Sequence, residues 1–239
     1  MPLTNTSIQR DLINYRMQIP RFTGITMGVT IGGNLLADPT IYIIDDDSAN
    51  RDLLEALMDS VGLQSQTFNG TQEFLGGFKY DPNGLGCLLL DIRMPGMSGI
   101  ELHKELIARS MEFPIVFITG HGETETAVQA MKDGAFDYIE KPINNQRLLD
   151  IVNKAIAHCR ETTATRNDRN GVRRLLETLT PRETDVLEQI IEGQLNKQIA
   201  YNLSISLRTV EVHRARVMEK MQAGSVADLT KKTLLARGN

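Results

Sequence analysis

From Thr40 onward, short runs of aliphatic and β-branched residues alternate with longer stretches whose apolar residues recur every three or four positions. The short runs predict strands at Ile41–Asp45, Leu63–Phe68, Gly86–Asp91, Pro114–Thr119 and Phe136–Glu140. The longer stretches predict helices near 48–60, 70–77, 98–109, 123–133 and 144–159, with Gly62, Gly84, Gly86 and Gly134 at the breaks. Five such repeats imply a doubly wound α/β domain, a five-stranded parallel sheet covered on both faces.

The pattern changes after residue 160. The run Glu161-Thr-Thr-Ala-Thr-Arg-Asn-Asp-Arg-Asn-Gly171 is polar and lacks an apolar helical stripe, so residues 161–174 read as a linker between a domain at 38–160 and one at 175–239. Beyond it every segment reads as a helix, and the second domain is expected to be all-α, with four helices. Thr180-Pro181-Arg-Glu183 has the spacing of a capping box with proline at the first helical position. The first helix then runs to about Glu192 and stops at Gly193, and Asn196 is placed to cap a short second helix. Ser204-Ile205-Ser206 forms the turn before a longer third helix, which is helix-turn-helix spacing. In that helix Val210, Val217, Met218 and Met221 share one side, while Arg208, Glu211, Val212, Arg214, Ala215 and Lys220 lie nearer the other. Periodicity alone fits a solvated charged face and a face offered to a DNA major groove equally well.

Charge adds a separate observation. The chain of 239 residues has a net charge of -4. Residues 1–164 hold 13 Lys and Arg against 21 Asp and Glu, whereas residues 165–239 hold 13 against 9. A basic tail on an acidic body suggests an acidic partner for the tail. The two cysteines, Cys87 and Cys159, lack zinc-site spacing and read as structural residues in a reducing cytosol. Gly24 to Ala37 is mildly apolar, but glycines and Asn34 interrupt it and no small-x-small cleavage site follows, so it is not read as a signal peptide. Residues 1–37 have no clear period; a disordered extension and a true start at Met17 or Met27 both stay open, and no function is assigned to them.

The chemistry gathers at the strand ends. In an open parallel sheet, ligands sit beyond the carboxyl ends of the strands. The first predicted strand ends in Asp45-Asp46-Asp47, the third in Asp91, the fourth in Thr119, and Lys141-Pro142 follows the fifth. Clustered carboxylates resist ionising together unless a cation joins them, and a hard ion such as Mg²⁺ suits Asp45, Asp46 and Asp91. An ammonium and a hydroxyl beside such an ion would neutralise and position a phosphoryl group. Asp47 reads better as the cap of the first helix, and His103 and His121 as surface residues.

From Thr40 to Cys159 these residues resemble the receiver domains of two-component response regulators, which are flavodoxin-like. The resemblance rests on Asp45-Asp46, on Leu-Leu-Asp91-Ile-Arg-Met-Pro-Gly-Met-Ser-Gly99, on Thr119 and on Lys141-Pro142, in order and at the family's spacing. It implies that Asp91 accepts a phosphoryl group from a sensor histidine kinase, with Mg²⁺ (or Mn²⁺) held by Asp45, Asp46, Asp91 and the backbone carbonyl of Arg93. It further implies that Thr119 and Lys141 contact the phosphoryl oxygens, and that Tyr138 turns inward as part of a two-state switch. Homodimerisation through the fourth helix, fifth strand and fifth helix would follow, and the Lys141-Pro142 peptide is often cis in this family.

The tail resembles the LuxR-type helix-turn-helix domain, and the whole chain the FixJ/NarL class of response regulators, nearest the FixJ type. The matching phrases are Leu-Thr-Pro-Arg-Glu183, Asn196-Lys197-Gln-Ile-Ala200, Ile205-Ser206-Leu-Arg-Thr209-Val210-Glu211-Val212-His213-Arg214 and Lys220-Met221. By that resemblance Glu211, Val212 and Ala215 face base edges, and Lys197, Arg208, Thr209, Arg214 and Lys220 meet phosphates. A dimer on double-stranded DNA, acting with RNA polymerase in the cytoplasm, is the implied setting. The protein would not be a turnover enzyme. A rival reading, a haloacid-dehalogenase-like phosphatase, rests on Asp45-x-Asp47 alone, and Ala49 stands where that motif wants Thr or Val.

Overall fold

The computed structural model describes residues 38–120 and 124–238. Readings made for residues 1–37 and for His121 therefore lie outside the described residues. Strands β1 (Thr40–Ile44), β2 (Gln64–Phe68), β3 (Gly86–Asp91), β4 (Ile115–Thr119) and β5 (Asp137–Glu140) form one parallel sheet in the order β2-β1-β3-β4-β5. Helices α1 (Ser48–Ser60), α2 (Thr71–Gly77), α3 (Gly99–Ala108), α4 (Thr124–Lys132) and the start of α5 (Asn145–Glu177) connect or follow the strands.

Alternation along each strand feeds two separate cores. Ile41, Ile43, Cys87, Leu89, Val116 and Ile118 point to the side covered by α1 and α5, against Leu54, Met58, Leu148 and Val152. Ile44, Leu88, Leu90, Ile115 and Phe117 point to the other, against Phe74 of α2 and Leu102 and Leu106 of α3. The middle strand β3 is buried at every position, which explains its unbroken apolar run. Burial pushes the Cys87 thiol up, away from the reactive thiolate.

Helix α5 does not end where the apolar stripe ends. It continues as one 33-residue helix through the segment read as a linker, as far as Glu177. Seven of the eleven residues from Glu161 to Gly171 are Thr, Asn, Asp or Gly, a composition roughly 4 kcal/mol poorer for a helix than alanine. Contacts supply what propensity lacks: Thr163 and Val172 are buried, and Arg166 bonds back to the first domain. A search for apolar periodicity cannot see a helix held by one threonine, one valine and one guanidinium.

The C-terminal helices are α6 (Pro181–Ile191), α7 (Asn196–Leu203), α8 (Leu207–Lys220) and α9 (Val226–Arg237). Their core comprises Val186, Leu187, Ile190, Ile199, Val210, Val217, Met221 and Leu229, closed by Val172 from α5. Thr180 and Glu183 form the expected capping box at α6. Asn196 does not cap α7: Leu195 occupies that position, and Gln198 Oε1 accepts from its backbone N–H at 2.9 Å. Ser206 caps α8 through the Thr209 N–H at 3.0 Å.

Candidate functional site

Strand register brings the acidic residues together. Ile44 lies opposite Leu90, so the next residues, Asp45 and Asp91, leave neighbouring strands at the same level. On the far side Thr119 lies opposite Glu140, and Lys141 follows, its N–H donating to the Thr119 carbonyl at 2.8 Å. The Lys141–Pro142 peptide is cis. The loop after β3 folds back tightly: the Gly99 N–H donates to the Ile92 carbonyl at 3.0 Å, and a Cβ at Gly99 would lie 2.2 Å from the Asp91 carbonyl oxygen. Only glycine admits that approach.

The outcome is a cleft of about 390 Å³ lined by Asp45, Asp46, Asp47, Asn50, Asp91, Arg93, Gly120 and Lys141. Lys141 Nζ stands 2.6 Å from Asp91 Oδ1 and 3.1 Å from Asp45 Oδ2. Burial pushes the Asp91 carboxyl above its ordinary range; the Lys141 ammonium works against this, and the Asp45 charge adds to it. Burial acts to lower Lys141, but its hydrogen bond to Asp91 and the two carboxylate charges outweigh that and raise it. Arg93 N–H donates to Asp91 Oδ2 at 2.8 Å.

The two flanking aspartates divide the work. Asp45 is 1% exposed and its oxygens are already engaged by the Asp47 N–H at 2.8 Å, by Asn50 Nδ2 at 3.2 Å and 3.4 Å, and by Lys141. Asp46 is exposed on the cleft wall. Asp47 caps α1, its Oδ1 accepting from the Ala49 N–H at 2.9 Å, as its position predicted. Asn50 was missed by sequence reasoning; its only signal is that the first turn of α1 must lie over the strand end that carries Asp45.

The donor set fits a hard divalent ion. Among the described residues the cleft presents carboxylate oxygens and no sulfur or imidazole. Among the described residues no three His, Cys, Asp or Glu side chains are gathered closely enough to hold a metal alone. An ion here would therefore complete its shell with backbone, water or phosphoryl oxygens, the habit of Mg²⁺.

Not every expected residue opens onto this cleft. Thr119 is 2% exposed at the end of β4, and its neighbour Gly120 forms the lining. Tyr138 is half-buried and packs against the α2–α3 core. His103, expected at the surface, is 4% exposed with its ring edge-on to Phe117 at 5.6 Å, and burial holds its imidazole below the usual range. It follows Leu102 on the inward side of α3, where helical phase outweighs the polarity of the ring.

In the second domain, α8 exposes Arg208, Glu211, Val212 and Ala215, and α7 exposes Lys197. Thr209 is half-buried, its hydroxyl 2.7 Å from Ser206 Oγ. Arg214 is half-buried and donates through Nη1 to Asn196 Oδ1 at 3.2 Å, a bond between the two helices of the motif. Arg216, which sequence reasoning passed over, is exposed four residues beyond Val212. Lys220, expected at a phosphate, is half-buried and engaged within the domain. Its ammonium is committed to Glu183 at 2.6 Å and to the Thr178 carbonyl at 2.9 Å, and this pair holds the Glu183 carboxyl down to about 2.

Comparison with known proteins agrees with both halves. Residues 41–153 match the family described as response regulator receiver domain, and residues 177–233 match that described as bacterial regulatory proteins, luxR family. The transcriptional regulatory protein FixJ of Bradyrhizobium diazoefficiens is 42% identical over 198 residues, covering 82% of this chain and 95% of that protein. The transcriptional regulatory protein TdiR of Thauera aromatica is 38% identical over 190 residues, covering 80% and 83%. The solved structure of the response regulator StyR superposes with a TM-score of 0.74 at 42% identity, covering 82% of this chain and 98% of that one. Among the described residues no helix is long and apolar enough to cross a membrane. The chain thus belongs to the FixJ-like response regulators, transcriptional regulators that join a receiver domain to a LuxR-type DNA-binding domain.

Proposed function

We propose that Asp91 accepts a phosphoryl group from the phosphohistidine of a sensor kinase, and that this modification governs dimerisation and DNA binding. The observation that carries the reading is the convergence of Lys141 on Asp91 and Asp45, from 50 and 96 positions away in sequence. In the transfer, the histidine N–P bond breaks as an Asp91 carboxylate oxygen forms the new O–P bond, and the imidazole leaves and regains a proton. Asp46, Asp91 and the Arg93 carbonyl would hold Mg²⁺ or Mn²⁺, with Asp45 adding its charge. Such an ion, when bound, offsets the charge on the phosphoryl oxygens.

The protein's own groups do the rest. Lys141 already stands against Asp91 and moves its ammonium onto a phosphoryl oxygen without having to enter the site. Asn50 and the Asp47 N–H keep Asp45 aimed at that ammonium. Thr119 supplies its hydroxyl by moving toward the phosphoryl group, and Tyr138 turns inward with it. The altered face of α4, β5 and α5 then pairs two receivers.

Two DNA-binding domains held together reach two half-sites, which multiplies the modest affinity of one. Glu211, Val212 and Ala215 meet base edges from α8, and Lys197, Arg208, Thr209 and Arg214 meet phosphates. The kinase, RNA polymerase and a cytoplasmic setting complete the reading. The phosphatase alternative is the weaker reading, because the second carboxylate of its motif, Asp47, caps α1. The test is Asp91→Asn in a DNA-binding titration with and without a small-molecule phosphodonor. Wild type gains affinity with the donor and the variant does not; an equal gain in both removes Asp91 from the mechanism.

A further inference from the structure

Helix α5 belongs to two bodies at once. Its inward residues from Leu148 to Cys159, among them Leu148, Val152, Ala155 and Cys159, are buried in the receiver, while Val172 enters the DNA-binding core and Arg173 Nε donates to the Ala236 carbonyl at 3.1 Å. Between these anchors runs the helix-poor stretch ending in Asn167-Asp168-Arg169-Asn170-Gly171. Arg166 stands at its head. Its guanidinium reaches Glu112 Oε2 at 3.3 Å, the Tyr80 hydroxyl at 3.5 Å, Thr163 Oγ1 at 3.4 Å and, through Nη2, the Pro82 carbonyl. Tyr80 and Glu112 are joined to each other, the Glu112 N–H donating to the Tyr80 hydroxyl at 3.2 Å. The receiver acceptors, Tyr80, Pro82 and Glu112, come from the loops that enter β3 and β4, at the pole of the sheet opposite Asp91. Among the described residues, Arg166 is the last of α5 with a bond to the receiver.

We propose that Arg166 is the receiver's latch on the connecting helix, a positioning residue that keeps 167–171 helical and so fixes the direction in which the DNA-binding domain is carried. A planar, permanently charged fork suits the task, since it engages a carboxylate, a carbonyl and a phenol at once from a single side chain. Without it, no hydrogen bond among the described residues ties 164–171 to the receiver, and the low helix propensity of the stretch is opposed only from the far side, where Arg169 lies near Gly238. The inference concerns the resting molecule and does not depend on phosphorylation of Asp91.

The test uses the full chain as wild type, Arg166→Ala and Arg166→Lys, read by amide hydrogen exchange. Distance distributions are measured in parallel between spin labels at Glu55→Cys and Lys231→Cys, both exposed positions, while Cys87 and Cys159 are buried. In Arg166→Ala the amides of 164–171 exchange about tenfold faster or more, the factor carried by lost charge-assisted hydrogen bonds. The label distances broaden, while β1–β5 and α6–α9 exchange as in wild type. Arg166→Lys restores part of both. Glu112→Gln, a change at an exposed side chain that cannot endanger folding, gives the same pattern at about a threefold acceleration. Wild-type exchange at 164–171 in Arg166→Ala, an acceleration spread evenly over both domains, or an unbroadened distance distribution overturns the proposal.

Discussion

Lys220 allows two functions to be separated in one variant. If it belongs to the fold rather than to the DNA contact, Lys220→Met should unsettle the second domain and leave the salt dependence of DNA binding alone. Glu183 is 2% exposed, and its carboxyl is drawn from an ordinary 4.5 to about 2, chiefly by the Lys220 hydrogen bond and then by the Thr180 N–H. A displacement of that size corresponds to about 3 kcal/mol at most. Lys220 keeps 32% of its side chain in water and the Thr180 share survives the substitution, so the loss expected is about 2 kcal/mol. Two domains unfold in this chain, so a local probe is needed. Amide exchange in α6–α8 should accelerate about 30-fold, with β1–β5 unchanged. In an anisotropy titration of DNA across salt concentrations, the slope should match wild type, whereas Arg208→Met should lower it by about 0.9, one phosphate contact. A Lys220→Met protein that keeps its α6–α8 protection but loses about 0.9 from that slope would refute the assignment.

Other expectations follow from the same contacts. Because the Glu183 carboxyl is depressed in the folded state, its stabilisation is complete above its ordinary value and drains away as pH falls toward about 2. Amide protection in α6–α8 should therefore decline between about pH 5 and about pH 2 in wild type, and Glu183→Gln should flatten that slope. Gly99→Ala forces a Cβ against the Asp91 carbonyl, so the receiver should lose about 2 kcal/mol or more in thermal unfolding and bind beryllofluoride more weakly. Gly76→Ala, with open space around it, should be neutral or stabilising by up to about 1 kcal/mol. Asn196→Ala frees Arg214 without touching the Leu195–Gln198 bond that opens α7, so DNA affinity should fall severalfold with the domain's melting unchanged, as anisotropy and circular dichroism would record.

The sheet was legible because a parallel strand buried on both faces has a signature no surface element shares, and β3 carries it at every position. The site was legible for a related reason: fold topology alone sends strand ends to one place, so the positions of Asp45, Asp91 and Lys141 implied their meeting. What escaped reading were residues whose fate depends on a partner far away in sequence. His103 looks like a surface histidine until Phe117 is placed beneath it. Lys220 looks like a free cation until Glu183, 37 positions earlier, is found against it. Asn196 has the right chemistry for a cap, but the helix starts one residue sooner and its amide turns to Arg214 instead. The linker misled for the opposite reason, since its local signals against a helix are real and distant contacts override them.

A single helix of 33 residues, about 50 Å long, makes spacing equivalent to phase. Inserting one amino acid into 167–171 would advance everything beyond by about 1.5 Å and swing it by about 100° around the rod. The number of residues between the two anchors thus sets an angle, and lengthening that preserves the bearing of the far end would have to come in near-whole turns.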